Sequence, residues 1–131
     1  MVVDTSALLA ILQDEPERRN FNEAIEMAES RRMSAVTFVE SSMVIESRFG
    51  AEGLRDLDRL IERAEIEIVP VDVEQARTAR EAFARFGKGR HAAGLNFGDC
   101  FSYALARVLG EPLLFKGEDF GRTDVMPAIT P

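Results

Sequence analysis

The sequence has one cysteine and one histidine among 131 residues. A single cysteine, Cys100, cannot form a disulfide within the chain, which excludes a disulfide-stapled scaffold and is typical of a reducing compartment. The apolar stretch from Ala7 to Leu12 is too short to span a membrane, and no Lys or Arg precedes it as in a signal peptide. We therefore predict a soluble, cytoplasmic protein with no membrane partner.

Basic residues are also scarce, since the sequence has 16 Lys and Arg but 23 Asp and Glu, which gives a net charge of −7. Phosphate binding needs clustered cations, so this balance excludes a simple electrostatic nucleic-acid binder. Residues 82–98 differ from the rest, because they contain Arg85, Lys88, Arg90 and His91 and no acid. This loop either is an ordinary solvated loop or admits a phosphodiester, and the sequence leaves both open.

The remaining composition, 46% hydrophobic and 30% charged, predicts one globular domain over residues 1–131. Short apolar strands alternate with amphipathic helices, without a linker, repeat or low-complexity segment. This pattern predicts an α/β fold with a mostly parallel sheet of four to five strands flanked by helices. Strands are expected at 1–3, 33–36, 66–71, 113–115 and, at an edge because of Pro127, 125–129. Helices are expected at 5–12, 21–28, 37–49, 54–64, 76–86 and 101–108.

Four acidic residues each follow a short apolar run where it gives way to a turn or a helix: Asp4, Glu40, Asp99 and Asp119. The carboxyl ends of parallel strands share one edge of a sheet, and ligands bind there. Two carboxylates about 4 Å apart repel one another by roughly 4 kcal/mol at an effective dielectric constant of about 20. A divalent cation that prefers oxygen ligands offsets this repulsion. The spacing therefore predicts a metal site at this edge.

Each acid also has a purely structural explanation. Residues 37–40 match a capping box, and Asp4 matches a helix N-cap. Residues 96–99 place an acid in a first helical turn, which the helix dipole favours, and residues 118–119 match a solvated turn. Four unrelated caps need not fall on one edge of a sheet, so spacing alone leaves both interpretations open.

The segments around these acids resemble the PIN-domain family and, more narrowly, the VapC toxins of bacterial toxin–antitoxin pairs. The resemblance covers essentially the whole chain, with its motifs in order. It rests on the segments Val2 to Leu8, Thr37 to Glu40, Gly98 to Ala106, Leu113 to Phe120, and Thr123-Asp124.

The resemblance implies a small, usually homodimeric ribonuclease that cuts RNA with Mg²⁺ or Mn²⁺. Asp4, Glu40 and Asp99 match the family's metal-binding acids, and Asp119 matches a fourth acid that shapes the site or acts through water. The further residues expected to orient a ligand or contact RNA are Thr5, Ser6, Lys88, Arg90, Lys116 and Thr123. Glu118 departs from the family, which commonly has Asn there, and adds a negative charge beside the fourth acid.

The resemblance also implies a cognate antitoxin protein whose arm covers an apolar groove near the acidic site. Candidates to line that groove are Leu8, Leu12, Phe38 and Ile45, although packing in the core explains these residues equally well.

The only histidine and the only cysteine are interpreted structurally. His91 is expected to be a flexible loop residue rather than an acid or base. Cys100 is expected to be a buried helix residue, since a cluster of carboxylates selects metals that do not seek thiolate.

Two other classes of function remain open. An aspartate-based phosphoryl-transfer domain would need a second acid adjacent to Asp4 or two residues beyond it, where the sequence has Thr5 and Ser6. A non-catalytic PIN-like module would bind RNA or a partner without cleaving, and the presence of all four acids argues against it.

Overall fold

The computed structural model describes residues 1–129, so Thr130 and Pro131 of the predicted domain lie outside the described residues. The strands are Val2–Val3 (β1), Arg32–Ser34 (β2), Glu67–Val69 (β3) and Leu113–Leu114 (β4). The helices are Thr5–Leu12 (α1), Arg18–Met27 (α2), Ala35–Arg63 (α3), Val73–Phe86 (α4) and Phe97–Leu109 (α5), followed by a short 3-10 helix, Phe120–Arg122. None of the helices within residues 1–129 is long and apolar enough to cross a membrane.

The strands form one parallel sheet in the order β3-β2-β1-β4, which confirms the predicted fold class. The first strand lies in the interior of the sheet, where Val2 is paired with Arg32 on one side and Leu113 on the other. Both Val2 and Val3 are fully buried. Because alternate residues of a strand face opposite sides, Val2 packs with α4 and α5, whereas Val3 packs with α1 and α2. The sheet thus separates two apolar clusters, as expected for a sheet covered on both faces.

The second strand and the helix after it differ from the prediction at their junction. We predicted a strand to Val36 and a helix from Thr37, but α3 begins at Ala35. The reason is Ser34, whose hydroxyl accepts a hydrogen bond from the amide of Val36 at 3.1 Å and caps the helix. The predicted helices 37–49 and 54–64 run on as α3, with a break at Gly50, where φ is 66°.

The predicted fifth strand is wrong. Residues 125–129 make only an isolated bridge, in which Leu113 pairs with Pro127 at the open edge of β4. The amide of Leu113 donates to Met126 at 2.8 Å, and the amide of Ala128 donates to Leu113 at 2.9 Å. In this parallel pairing the Met126 carbonyl and the Ala128 amide face β4, so the nitrogen of Pro127, which carries no hydrogen, points away from the sheet, as expected of a proline at an edge. The sheet therefore has the lower of the two predicted strand numbers.

Candidate active site

Asp4 directly follows β1 and is the N-cap of α1. Its Oδ2 accepts from the amide of Ser6 at 3.0 Å and from the Ser6 hydroxyl at 2.7 Å. Its Oδ1 accepts from the buried hydroxyl of Ser102 at 2.6 Å. Three donors fix the orientation of this carboxylate, which is 3% exposed. The structural interpretation of Asp4 as a cap therefore does not exclude a role in binding a cation.

Glu40 projects from the second turn of α3. The predicted capping box of Thr37 with Glu40 is wrong, because the helix begins two residues before Thr37 and is capped by Ser34. The Glu40 carboxylate instead accepts from the hydroxyl of Thr5 at 2.5 Å, which ties α3 to the start of α1. It also packs directly against the backbone of Gly98, so it lies beside the first turn of α5.

Asp99 lies in that first turn and forms a capping box with Asn96. The Asn96 side chain accepts from the amide of Asp99 at 2.9 Å, and the Asp99 carboxylate accepts from the amide of Asn96 at 3.0 Å. Burial raises the pKa of Asp99 to about 7, with further increases from the charges of the other three acids, Asp4, Glu40 and Asp119. Asp4, Glu40 and Asp119 are thus each close enough to Asp99 to act on it electrostatically.

Asp119 lies at the exposed start of the 3-10 helix and makes no side-chain capping hydrogen bond. It contributes the smallest of the three repulsions that raise the pKa of Asp99. The neighbouring Glu118 forms an ion pair with Arg122 at 3.2 Å. The unusual acid at this position is therefore partly neutralised within its own turn.

The acidic cluster, defined as Asp4, Glu40, Asp99 and Asp119, fits a hard divalent cation by the chemistry of its donors. All of its ligand atoms are carboxylate oxygens, and the charges of Asp4, Glu40 and Asp119 add to the effect of burial in raising the pKa of Asp99. Within residues 1–129, no three acidic, His or Cys side chains are already arranged around one point as metal ligands. Oxygens of Asp4, Glu40 and Asp99 are instead hydrogen bonded to protein donors.

The two predicted hydroxyl residues lie in this cluster. Thr5 donates to Glu40, as described above. Ser6 donates to Asp4 and also accepts from the backbone amide of Lys116 at 3.0 Å. Ser6 therefore connects the first acid to the segment that leads from β4 to Asp119.

The predicted RNA-contacting residues are placed differently from one another. Lys116 forms ion pairs with Glu15 and, at 3.5 Å, with Glu17, so its ammonium group is engaged within the protein. The hydrogen bond to Glu15 is the main reason why the pKa of Lys116 is raised. Lys88 is exposed. The guanidinium of Arg90 lies 5.0 Å from the centre of the Phe83 ring. Thr123 forms hydrogen bonds within its own turn.

The structure gives His91 and Cys100 local roles. Nδ1 of His91 accepts from the amide of Ala93 at 3.0 Å, and its ring meets Phe86 edge-on. Cys100 is buried, and burial followed by the charge of Asp99 raises the pKa of its thiol to about 11. A thiol with this pKa stays protonated near neutrality, so Cys100 is a packing residue.

Leu8 is buried in the core and Phe38 packs against the same apolar cluster, so the packing explanation is correct for these two residues. Leu12 and the buried Ile45 line a small cleft of about 220 Å³ between α1 and α3, and a role for it in antitoxin binding stays a prediction. An apolar groove of about 600 Å³ does lie beside the acidic cluster, between α3 and the start of α5. Sequence reasoning missed this α3–α5 groove, which is lined by Ala35, Val36, Val39, Glu40, Met43, Val44 and Phe97. A usable signal was the spacing of Val36, Val39 and Met43 along the helix face next to Glu40.

Sequence reasoning also missed Ser102 and Gly98. The signal for Ser102 was a hydroxyl three residues after Asp99, on the same helix face, within the otherwise apolar segment 100–106. Gly98 carried no signal, because the close approach of Glu40 depends on a contact between two distant helices.

Comparison with known proteins gives consistent results. A family model of the PIN domain matches residues 1–126. Ribonuclease VapC of Mycolicibacterium smegmatis is 57% identical over 125 residues, covering 95% of this chain and 97% of the relative. Ribonuclease VapC30 of Mycobacterium tuberculosis is 52% identical over 131 residues, covering 100% of both chains.

Two solved structures share the fold. One is Mycobacterium tuberculosis VapC20, described as a toxin that cleaves the sarcin–ricin loop, with a TM-score of 0.78 and 16% identity over 99% of this chain and 98% of that one. The other is VapBC2 from Rickettsia felis bound to a fragment of promoter DNA, with a TM-score of 0.75 and 12% identity over 96% and 94%. At these identities, the two structures show the fold alone.

Proposed function

Because this chain belongs to the PIN-domain family and, within it, to the VapC ribonucleases, we propose that it is a Mg²⁺- or Mn²⁺-dependent endoribonuclease and the toxin of a toxin–antitoxin pair. The observation that carries the proposal is the acidic cluster. Asp4, Glu40 and Asp99 come from three different elements, and the charges of Asp4 and Glu40 add to burial in raising the pKa of Asp99. Capping accounts for Asp4 and for Asp99 one at a time, but it gives no reason to place both of them beside Glu40.

Each group of residues has a separate role in the proposed cleavage. Asp4 and Asp99 would hold the cation, and Glu40 would be a further ligand or would orient the attacking water. A bound divalent ion would supply an activated water and offset charge on the phosphoryl oxygens. Thr5 and Ser6 orient the carboxylates of Glu40 and Asp4. Lys88 and Arg90, on the acid-free loop, would contact RNA phosphates without reading sequence.

The test is a cleavage map on total cellular RNA with purified protein. We expect cuts in the presence of Mn²⁺ or Mg²⁺ and none after chelation with EDTA, because the cluster supplies carboxylates but no other group to activate water. A protein that binds RNA but cuts nothing with either ion would be a non-catalytic module. The phosphoryl-transfer alternative has no support, since Thr5 and Ser6 are bonded to Glu40 and Asp4 where that chemistry would need another acid.

The α3–α5 groove is the surface we propose for the antitoxin arm. It is apolar apart from Glu40, so it suits an apolar segment, and a basic residue on that segment would reach the acidic cluster from there. Several solved structures with this fold are toxin–antitoxin complexes, as their descriptions state. The groove is also open to solvent, with Val39 53% and Phe97 73% exposed.

Met43→Asp is expected to weaken antitoxin binding by about 10-fold or more, because it places a charge in the apolar groove beside Glu40. The measurement is the dissociation constant of the purified toxin with the product of the neighbouring gene. Met27→Asp is the matched control, since Met27 is similarly exposed, at 86% against 66%, but lies on α2 outside the groove.

Equal binding by both variants would contradict the proposal. If Met43→Asp bound the antitoxin normally but lost self-association in sedimentation measurements, the groove would instead belong to the proposed homodimer.

A further inference from the structure

A buried chain of hydroxyl groups lies beneath the acidic cluster. The hydroxyl of Ser102 donates to Oδ1 of Asp4 at 2.6 Å, and it lies 3.2 Å from the hydroxyl of Thr37. Ser102 is fully buried and Thr37 is 1% exposed. We call Thr37, Ser102 and their bond to Asp4 the hydroxyl brace.

The direction of the hydrogen bonds in this chain is determined. A serine hydroxyl has one hydrogen, and Ser102 gives it to Asp4. The bond between Ser102 and Thr37 must then be donated by Thr37. Both donors therefore point toward the Asp4 carboxylate, and each step strengthens the next in a site of low dielectric constant.

The positions of the two hydroxyls relate them to the other acids. Ser102 lies three residues after Asp99 on α5, and Thr37 lies three residues before Glu40 on α3. Residues three apart share one face of a helix. The brace therefore joins the three elements that carry Asp4, Glu40 and Asp99, one helical turn away from the carboxylates of the two helices.

We propose that Ser102, supported by Thr37, is a positioning residue that orients the Asp4 carboxylate for divalent cation binding. The proposal rests on the proposed function, since it assigns the supporting groups of that site. Residues that hydrogen bond to metal ligands fix their orientation, and losing one typically weakens metal affinity. Without the brace, Asp4 keeps only the Ser6 donors on Oδ2, and Oδ1 is left buried without its donor.

The test measures Mn²⁺ binding by calorimetry in the absence of RNA, with circular dichroism as a check of folding. Ser102→Ala is expected to raise the Mn²⁺ dissociation constant by about 10- to 100-fold. Thr37→Val, which keeps the Ser102 donor but removes its support, is expected to give a smaller increase, and Thr37→Ser is expected to restore the parent value.

Ser41→Ala is the matched control. Ser41 is also fully buried, but its hydroxyl bonds only to the backbone carbonyls of Thr37 and Phe38, at 2.7 and 3.2 Å. This variant is expected to lose stability without losing Mn²⁺ affinity.

Three outcomes would contradict the hydroxyl brace, and a fourth would contradict the proposed function. Parent-like Mn²⁺ binding by Ser102→Ala, or an equal loss in Ser41→Ala, would contradict the brace. If Ser102→Ala does not fold, Thr37→Val and Thr37→Ser decide, and equal affinities in those two would contradict the brace. A parent protein that binds no Mn²⁺ would instead contradict the metal dependence of the proposed function.

Discussion

Replacing Asp99 by asparagine is expected to reduce RNA cleavage by about 100-fold or more, because even groups that only support metal ligands typically contribute 10- to 100-fold. Asparagine keeps the shape of the side chain and still offers an oxygen to the amide of Asn96, so the capping box survives. Only the charge is removed. The measurement is the initial rate on a fixed RNA with saturating Mn²⁺, and Asp58→Asn, on the exposed face of α3, is the matched control.

The stability of the same variant distinguishes lost chemistry from lost folding. The pKa of Asp99 is about 7 when folded, against an ordinary value of 3.8, so the folded protein holds this proton more tightly than the unfolded chain does. The contribution of Asp99 to the stability of the parent is therefore present at low pH and is lost as the pH rises from about 4 to about 7. In EDTA, Asp99→Asn should melt about 4 °C higher than the parent at pH 8 and almost equally at pH 4. An Asp99→Asn protein that cuts RNA at the parent rate would remove Asp99 from the site.

Gly98→Ala is expected to reduce cleavage by about 100-fold, because small displacements of a catalytic group are that costly. A Cβ at this position would lie 2.5 Å from the carboxylate carbon of Glu40 and 2.6 Å from its Oε1. The Glu40 carboxylate must therefore move, and its bond to Thr5 must break or lengthen. Because only the end of a flexible side chain moves, and because alanine favours a helix by about 1 kcal/mol over glycine, the fold should be retained. The measurement is kcat/KM alongside the melting temperature.

Gly121→Ala is the matched control, since a Cβ at Gly121 meets nothing within 4 Å. A second variant sharpens the test. In Gly98→Ala combined with Glu40→Asp, the shorter side chain leaves room for the new methyl group, and cleavage should partly recover. Unchanged kcat/KM in Gly98→Ala would show that the position of Glu40 does not matter.

The sequence was sufficient to predict the parallel sheet and the position of Asp4 at the end of its first strand. Val2 and Val3 have no polar alternation, which is typical of a strand buried on both faces, and Asp4 follows them directly. Glu40 and Asp99 lie instead in early turns of α3 and α5. The start of α3 was misplaced, because β-branched Val36 favours a strand, whereas the hydroxyl of Ser34 caps a helix that begins two residues earlier than predicted.

The errors around the site share a physical cause. Leu8 and Phe38 follow the helical spacing of apolar residues that holds equally for a core face and a docking face, so the sequence could not separate them. Lys116 forms an ion pair with Glu15, which is 101 residues away in the sequence. A local sequence pattern cannot predict a pair of this kind. The contact of Glu40 with Gly98 joins two helices that are far apart in the sequence. The spacing of residues within one helix cannot predict such a contact.

The pairing of β4 with β1 has a consequence for protein synthesis. The last strand to leave the ribosome completes the sheet beside the first, and the segment after it carries Asp119 and bonds to Ser6. A nascent chain whose β4 is still inside the ribosome therefore lacks the strand that pairs with β1 and the segment that carries Asp119. The translating cell therefore meets an assembled site only after β4 and the segment that carries Asp119 have emerged.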